Sequence, residues 1–91
     1  MTILYEDPQN FADADEFIDC FERGCEAQFT YAGKMYSVTH AQDDRIVVCE
    51  SYKKGTAYYY DSPQAALDHL IEGKRIGSIL QEMEMIKRTL H

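Results

Sequence analysis

The chain reads as an α+β fold: a four-stranded antiparallel β-meander with an N-terminal amphipathic helix and one or two C-terminal helices, in the order α-β-β-β-β-α-α, with the helices mainly on one face. Three observations predict it. Phe11, Ala14, Phe17, Ile18, Phe21 and Cys25 recur at helical spacing. From residue 27 to residue 60 the apolar residues come in short, mostly alternating runs divided by tight turns. Beyond Ser62 they return to intervals of three and four.

Residues 1–10 form an N-terminal arm, in which the short apolar run Ile3-Leu4-Tyr5 is ended by the turn chemistry of Asp7-Pro8. The first helix spans the stretch Phe11–Cys25. Asp13 followed by Glu16 has capping-box spacing, and Gly24 suits the left-handed residue that stops a helix. In that stop motif the residue after the glycine packs back on the last turn, which sets Cys25 against Cys20. Ala27, Phe29 and Tyr31 alternate with polar residues, as do Tyr36 and Val38, and Ala32-Gly33-Lys34 turns between them as a hairpin. Gln42-Asp43-Asp44 leads into a third strand, Arg45–Ser51, whose consecutive Ile46, Val47 and Val48 suggest cover on both faces. Lys53-Lys54-Gly55 leads into a fourth, Thr56–Tyr60. One sheet face then carries Phe29, Tyr36, Val38, Ile46, Val48, Tyr58 and Tyr60. The other carries Gln28, Thr30, Ser37, Thr39, Val47, Cys49 and Tyr59.

Ser62 as cap and Pro63 at the first position open the next helix, with an apolar stripe of Ala66, Leu67, Leu70 and Ile71 and a stop at Gly73. Ile76, Ile79, Leu80, Met83, Ile86 and Leu90 describe a last helix, with Lys87 and Arg88 in its final turn, where cations suit the dipole. Met85 falls off that stripe, which admits a partly extended path near Met83–Ile86.

Ninety-one residues make one domain, 1–91. The apolar runs are far shorter than the roughly 20 residues that span a bilayer, and no export signal is visible, so the cytoplasm is the expected compartment. Three cysteines without such a signal are read as reduced thiols. The net charge is −7, and it is unevenly placed. Residues 1–26 hold eight acids against one base, Arg23, whereas residues 27–91 hold eight of each. An acidic chain repels phosphates, which argues against nucleic acid and anionic membranes as direct partners.

Candidate chemistry is sparse. Cys20, Cys25, His40 and Cys49 are zinc-ligand types but lack paired C-x2-C knuckles, and packing accounts for the thiols, so no metal is expected. Cys49 and His40 could pair as nucleophile and base across neighbouring strands, yet the acidic surroundings disfavour a thiolate. Gly33, Gly55, Gly73 and Gly77 form no phosphate-binding pattern, and no cofactor is expected. No catalytic constellation can be named, and the chain is not expected to be an enzyme.

What packing leaves over is the acid on the outer side of the first helix. A helix face shaped by stability alone mixes signs in i,i+4 pairs, and its dipole disfavours acids toward the C-terminal end. These acids form either a solvated helix face or a partner-binding one; on the second reading Asp15, Glu16, Asp19, Glu22 and Glu26 are the candidate contact residues, with Tyr59 as an aromatic contact on the less covered sheet face. The expected function is a small acidic protein-interaction module that docks this face on a basic protein surface. In bulk character alone it is similar to immunity proteins, antitoxins and phage anti-defence inhibitors, which set carboxylates where an enzyme expects phosphates. The alternative is a non-catalytic structural domain that self-associates as a homodimer.

Overall fold

The computed structural model describes residues 3–4 and 10–90, with the backbone alone for residues 3, 4 and 90. The elements in chain order are β1 (Ile3–Leu4), α1 (Ala14–Glu22), β2 (Ala27–Tyr31), β3 (Lys34–His40), β4 (Ile46–Glu50), β5 (Tyr58–Tyr60), α2 (Pro63–Ala66), β6 (Leu70–Ile71), β7 (Lys74–Arg75), a 3-10 turn (Ile76–Ser78) and β8 (Glu84–Leu90). The fold is α+β. Its main sheet is antiparallel, ordered β8-β2-β3-β4-β5, and β1 pairs with the outer edge of β8. The rest of the N-terminal arm, including the Asp7-Pro8 turn, lies outside the described residues. No described helix is long and apolar enough to cross a membrane.

The helix α1 and the β2–β5 meander follow from local chemistry. The Asp13 carboxylate accepts the Glu16 backbone N–H at 2.9 Å, and the Glu16 carboxylate accepts the Ala12 N–H at 3.3 Å. At the other end Gly24, at φ +90°, closes a full stop motif: Cys25 N–H donates to Cys20 O and Gly24 N–H to Phe21 O. The β2–β3 hairpin uses a two-residue turn, Ala32-Gly33, with both residues at positive φ (53° and 79°), so Lys34 opens β3 opposite Tyr31. That turn matches the natural twist of paired strands.

Two expectations need correction. The sheet is no four-stranded meander, because the C-terminal segment joins it: the predicted last helix over Ile76–Leu90 is a 3-10 turn followed by the strand β8, inserted between β1 and β2. Met83 and Met85 are buried at period two, and the alternation then breaks at a bulge. Gln28 opposes Lys87 and Phe29 opposes Met85, which leaves Ile86 as the extra residue, exposed. Lys87 and Arg88 therefore end no helix. The second correction is α2, which is one turn and not a helix reaching Gly73. Ser62 caps it as expected, accepting the Ala65 N–H at 3.1 Å. The chain then turns into the β6–β7 hairpin around Glu72-Gly73, and Ile76 N–H donates to His69 O at 3.0 Å.

The core lies between one sheet face and the two helices. Phe11, Phe17, Phe21 and Phe29 are each about fully buried, against Val38, Ile46 and Val48 of the sheet and Ile71, Ile76 and Ile79 of the C-terminal third. The Phe17 and Phe21 rings lie 4.6 Å apart between centroids, tilted at 44°, with Phe11 edge-on at 5.2 Å from Phe17. Phe29, Tyr36, Val38, Ile46 and Val48 are buried on the covered face as their alternation predicts, but in β5 both Tyr58 and Tyr59 are exposed.

Candidate interaction surface at the end of helix α1

The packing of α1 sorts its acids into two kinds. Glu16 and Glu26 are used internally. The Glu16 carboxylate pairs with Arg88 at 3.0 Å, and the Arg88 guanidinium lies 4.2 Å from the Phe11 ring centroid with its side chain 13 % exposed. Glu26 ties three strands together: its carboxylate accepts the His40 N–H at 3.2 Å, and its backbone N–H donates to the Thr89 hydroxyl at 2.9 Å. Asp15, Asp19 and Glu22 stay exposed. Asp19 meets Arg23 at 3.2 Å in a pair more than half exposed on both sides, a contact of little strength.

Glu22 opens onto a cleft that the sequence did not announce. It has a volume of about 420 Å³ and is lined by Phe21, Glu22, Arg23, Gly24, His40, Asp44, Ile46, Asp61 and Pro63. The topology assembles it. The turn before β4 brings Asp44, the turn before α2 brings Asp61, and the end of α1 brings Glu22. None of these three carboxylates forms an ion pair with another described residue. The C-terminal end of α1 adds the negative end of its dipole. His40 stands in the wall with Nε2 2.9 Å from the Phe21 carbonyl. A carbonyl only accepts, so Nε2 carries the proton and the ring is fixed across the cleft.

Tyr59 belongs elsewhere. It opposes Val47 on the open sheet face, away from α1, and the Arg45 guanidinium sits 4.7 Å from its ring centroid. The structure thus does not unite the six residues singled out from sequence: Asp15, Asp19 and Glu22 share the outer helix face, Glu16 and Glu26 are structural ties, and Tyr59 is on the far side. Asp44 and Asp61 were missed because each reads locally as a turn residue. The one signal was that each lies two residues before an apolar residue lining the same cleft, Ile46 and Pro63.

The thiols are likewise dispersed. Cys20 and Cys25 are buried together in the core, and burial followed by the adjacent Cys25 thiol pushes Cys20 up to about 12, so it stays protonated. Cys49 faces the open side of the sheet, 3.1 Å from the Ser37 hydroxyl, whereas His40 faces the covered side. The nucleophile–base pair weighed from sequence is therefore separated by the sheet itself. Among the described residues no group of three or more His, Cys, Asp and Glu side chains is placed to hold a metal.

The chain matches no family model, no curated protein and no solved structure. A cleft with three carboxylates outside any ion pair among the described residues, against the one guanidinium of Arg23 in its wall, with an apolar floor of Phe21, Ile46 and Pro63 and a helix C-terminus, is suited to a guanidinium or ammonium group carried on an aliphatic stem.

Proposed function

We propose that the protein is an acidic protein-interaction module that seats basic side chains of a partner protein in the cleft at the end of α1. Glu22, Asp44 and Asp61 receive the cation, and Asp15 and Asp19 extend the negative surface along the helix. The observation that carries this reading is the convergence of those three unpaired carboxylates on one cleft. By contrast, Glu16 and Glu50 each meet a cation within the chain, Arg88 and Lys53. A partner whose basic surface normally holds phosphates fits best, because carboxylates can stand in for phosphate oxygens.

The test is capture of partners from the native host lysate by the wild-type chain and by the triple variant Glu22→Gln, Asp44→Asn, Asp61→Asn. The reading expects a partner that is released by salt and is lost in the variant. A partner held equally by both, or indifferent to salt, contradicts it. The alternative is a self-associating domain, for which the open sheet face, with Tyr59 exposed on it, and the exposed Ile86 offer surface, whereas Met83 and Met85 are buried.

A further inference from the structure

A second concavity lies between β5 and the segment entering β6, lined by Tyr58, Tyr60, Asp68, His69 and Leu70, with a volume of about 390 Å³. Its size is at the small end of ligand pockets. Three aromatic rings meet there. The centroids of Tyr58 and Tyr60 lie 5.1 and 5.7 Å from that of His69, at interplanar angles of 55° and 80°. Tyr60 Oη and His69 Nδ1 share a hydrogen bond of 2.6 Å, which fixes two of the rings. Burial holds His69 below its ordinary range, so the third ring is neutral at pH 7.

The other two lining residues complete the chemistry. Leu70 is 61 % exposed and Tyr58 57 %, apolar surface that the core does not use. The Asp68 carboxylate stands at the rim, held by Arg75 at 3.4 Å in a pair exposed by about two thirds on each side, which a competing cation can displace. Elsewhere the chain covers aromatic faces with its own guanidinium groups, Arg45 on Tyr59 and Arg88 on Phe11. Among the described residues no cation lies over Tyr58 or Tyr60.

We infer that this pocket takes the alkylammonium end of a lysine side chain from a partner protein, with the cation against the Tyr58 ring and Asp68 and the four-carbon stem along Leu70. Ring faces attract cations and repel anions, and an exposed leucine gives the methylene stem an apolar track. The site shares no lining residue with the cleft at the end of α1 and does not rest on the function proposed for it.

The test is an NMR titration of the isotopically labelled full chain with four probes: Nα-acetyl-lysine amide, its Nε-trimethyl form, its neutral Nε-acetyl form, and tetramethylammonium. The two cationic lysine forms should shift the amides of Tyr58, His69 and Leu70, the trimethyl form at the lowest concentration. The neutral form should bind roughly tenfold more weakly, the loss of one cation–π contact. Tyr58→Phe should retain binding and Tyr58→Ala should lose it, with the amide spectrum outside β5 and residues 68–70 unchanged in both. Binding of the neutral form as tight as the charged, binding of tetramethylammonium as tight as the trimethyl form, or no shift at these residues would overturn the assignment.

Discussion

At the scale of single residues, Arg88 joins the C-terminal strand to the first helix. Its side chain is nearly covered, over the Phe11 ring and paired with Glu16, so it fastens the strand β8 to the start of α1. Removing one partner of a covered ion pair strands the other. Because Glu16 is 40 % exposed, water offsets part of that cost. Arg88→Ala should therefore lower stability by about 2–3 kcal/mol, read as a fall in the urea midpoint at unchanged slope, and Arg88→Met should lose less by keeping contact with the ring. His69 gives a pH dependence with a definite sign. Desolvation lowers its folded-state value below the ordinary 6.5. In the window just below 6.5 the unfolded chain thus binds the proton and the folded chain does not, so stability is full above that value and falls as pH drops through the window. Urea midpoints between pH 5 and 7 should show this slope, and His69→Gln should remove it.

At the scale of elements, what was legible in the sequence is what local chemistry decides. The helix α1 was visible because its cap, stripe and stop agree, and the β2–β5 meander because turns and alternation agree. The Ala32-Gly33 turn shows the limit of that agreement. Ala32 sits at φ +53°, where a Cβ is unfavourable and asparagine is tolerated better. Ala32→Asn should stabilise the hairpin by roughly 0.5–1 kcal/mol, seen as a higher thermal midpoint with the same fold. The strand β8 was hidden for two physical reasons. Its bulge at Ile86 breaks the period of two, and a charged residue, Arg88, occupies a covered position. The apolar spacing of Ile76, Ile79, Leu80 and Met83 imitates a helix, but it arises from a 3-10 turn and the following turns. Met85, the residue off that stripe, was the visible sign of the extended path. Pairing with β2, some 55 residues earlier in the chain, decides the outcome, and no local window contains that information.

At the scale of the whole molecule, the excess charge is concentrated but not all of it is available. Folding spends Glu16 and Glu26 on internal contacts and recruits Asp44 and Asp61 from the electrically balanced part of the sequence to the end of α1. The acidic helix face was therefore legible as a surplus, while the cleft was not, since it depends on three turns meeting in space. The central claim is that this cleft receives a cationic side chain. Its most direct measurement is an NMR titration of the full chain with tri-arginine amide, at low ionic strength and again in about 0.5 M salt, where screening confines charge effects to a few ångströms. The account predicts shifts centred on Glu22, Gly24, Asp44 and Asp61 that fade in salt and vanish in the triple Glu22→Gln, Asp44→Asn, Asp61→Asn variant. Shifts centred elsewhere, or undiminished in that variant, would contradict it.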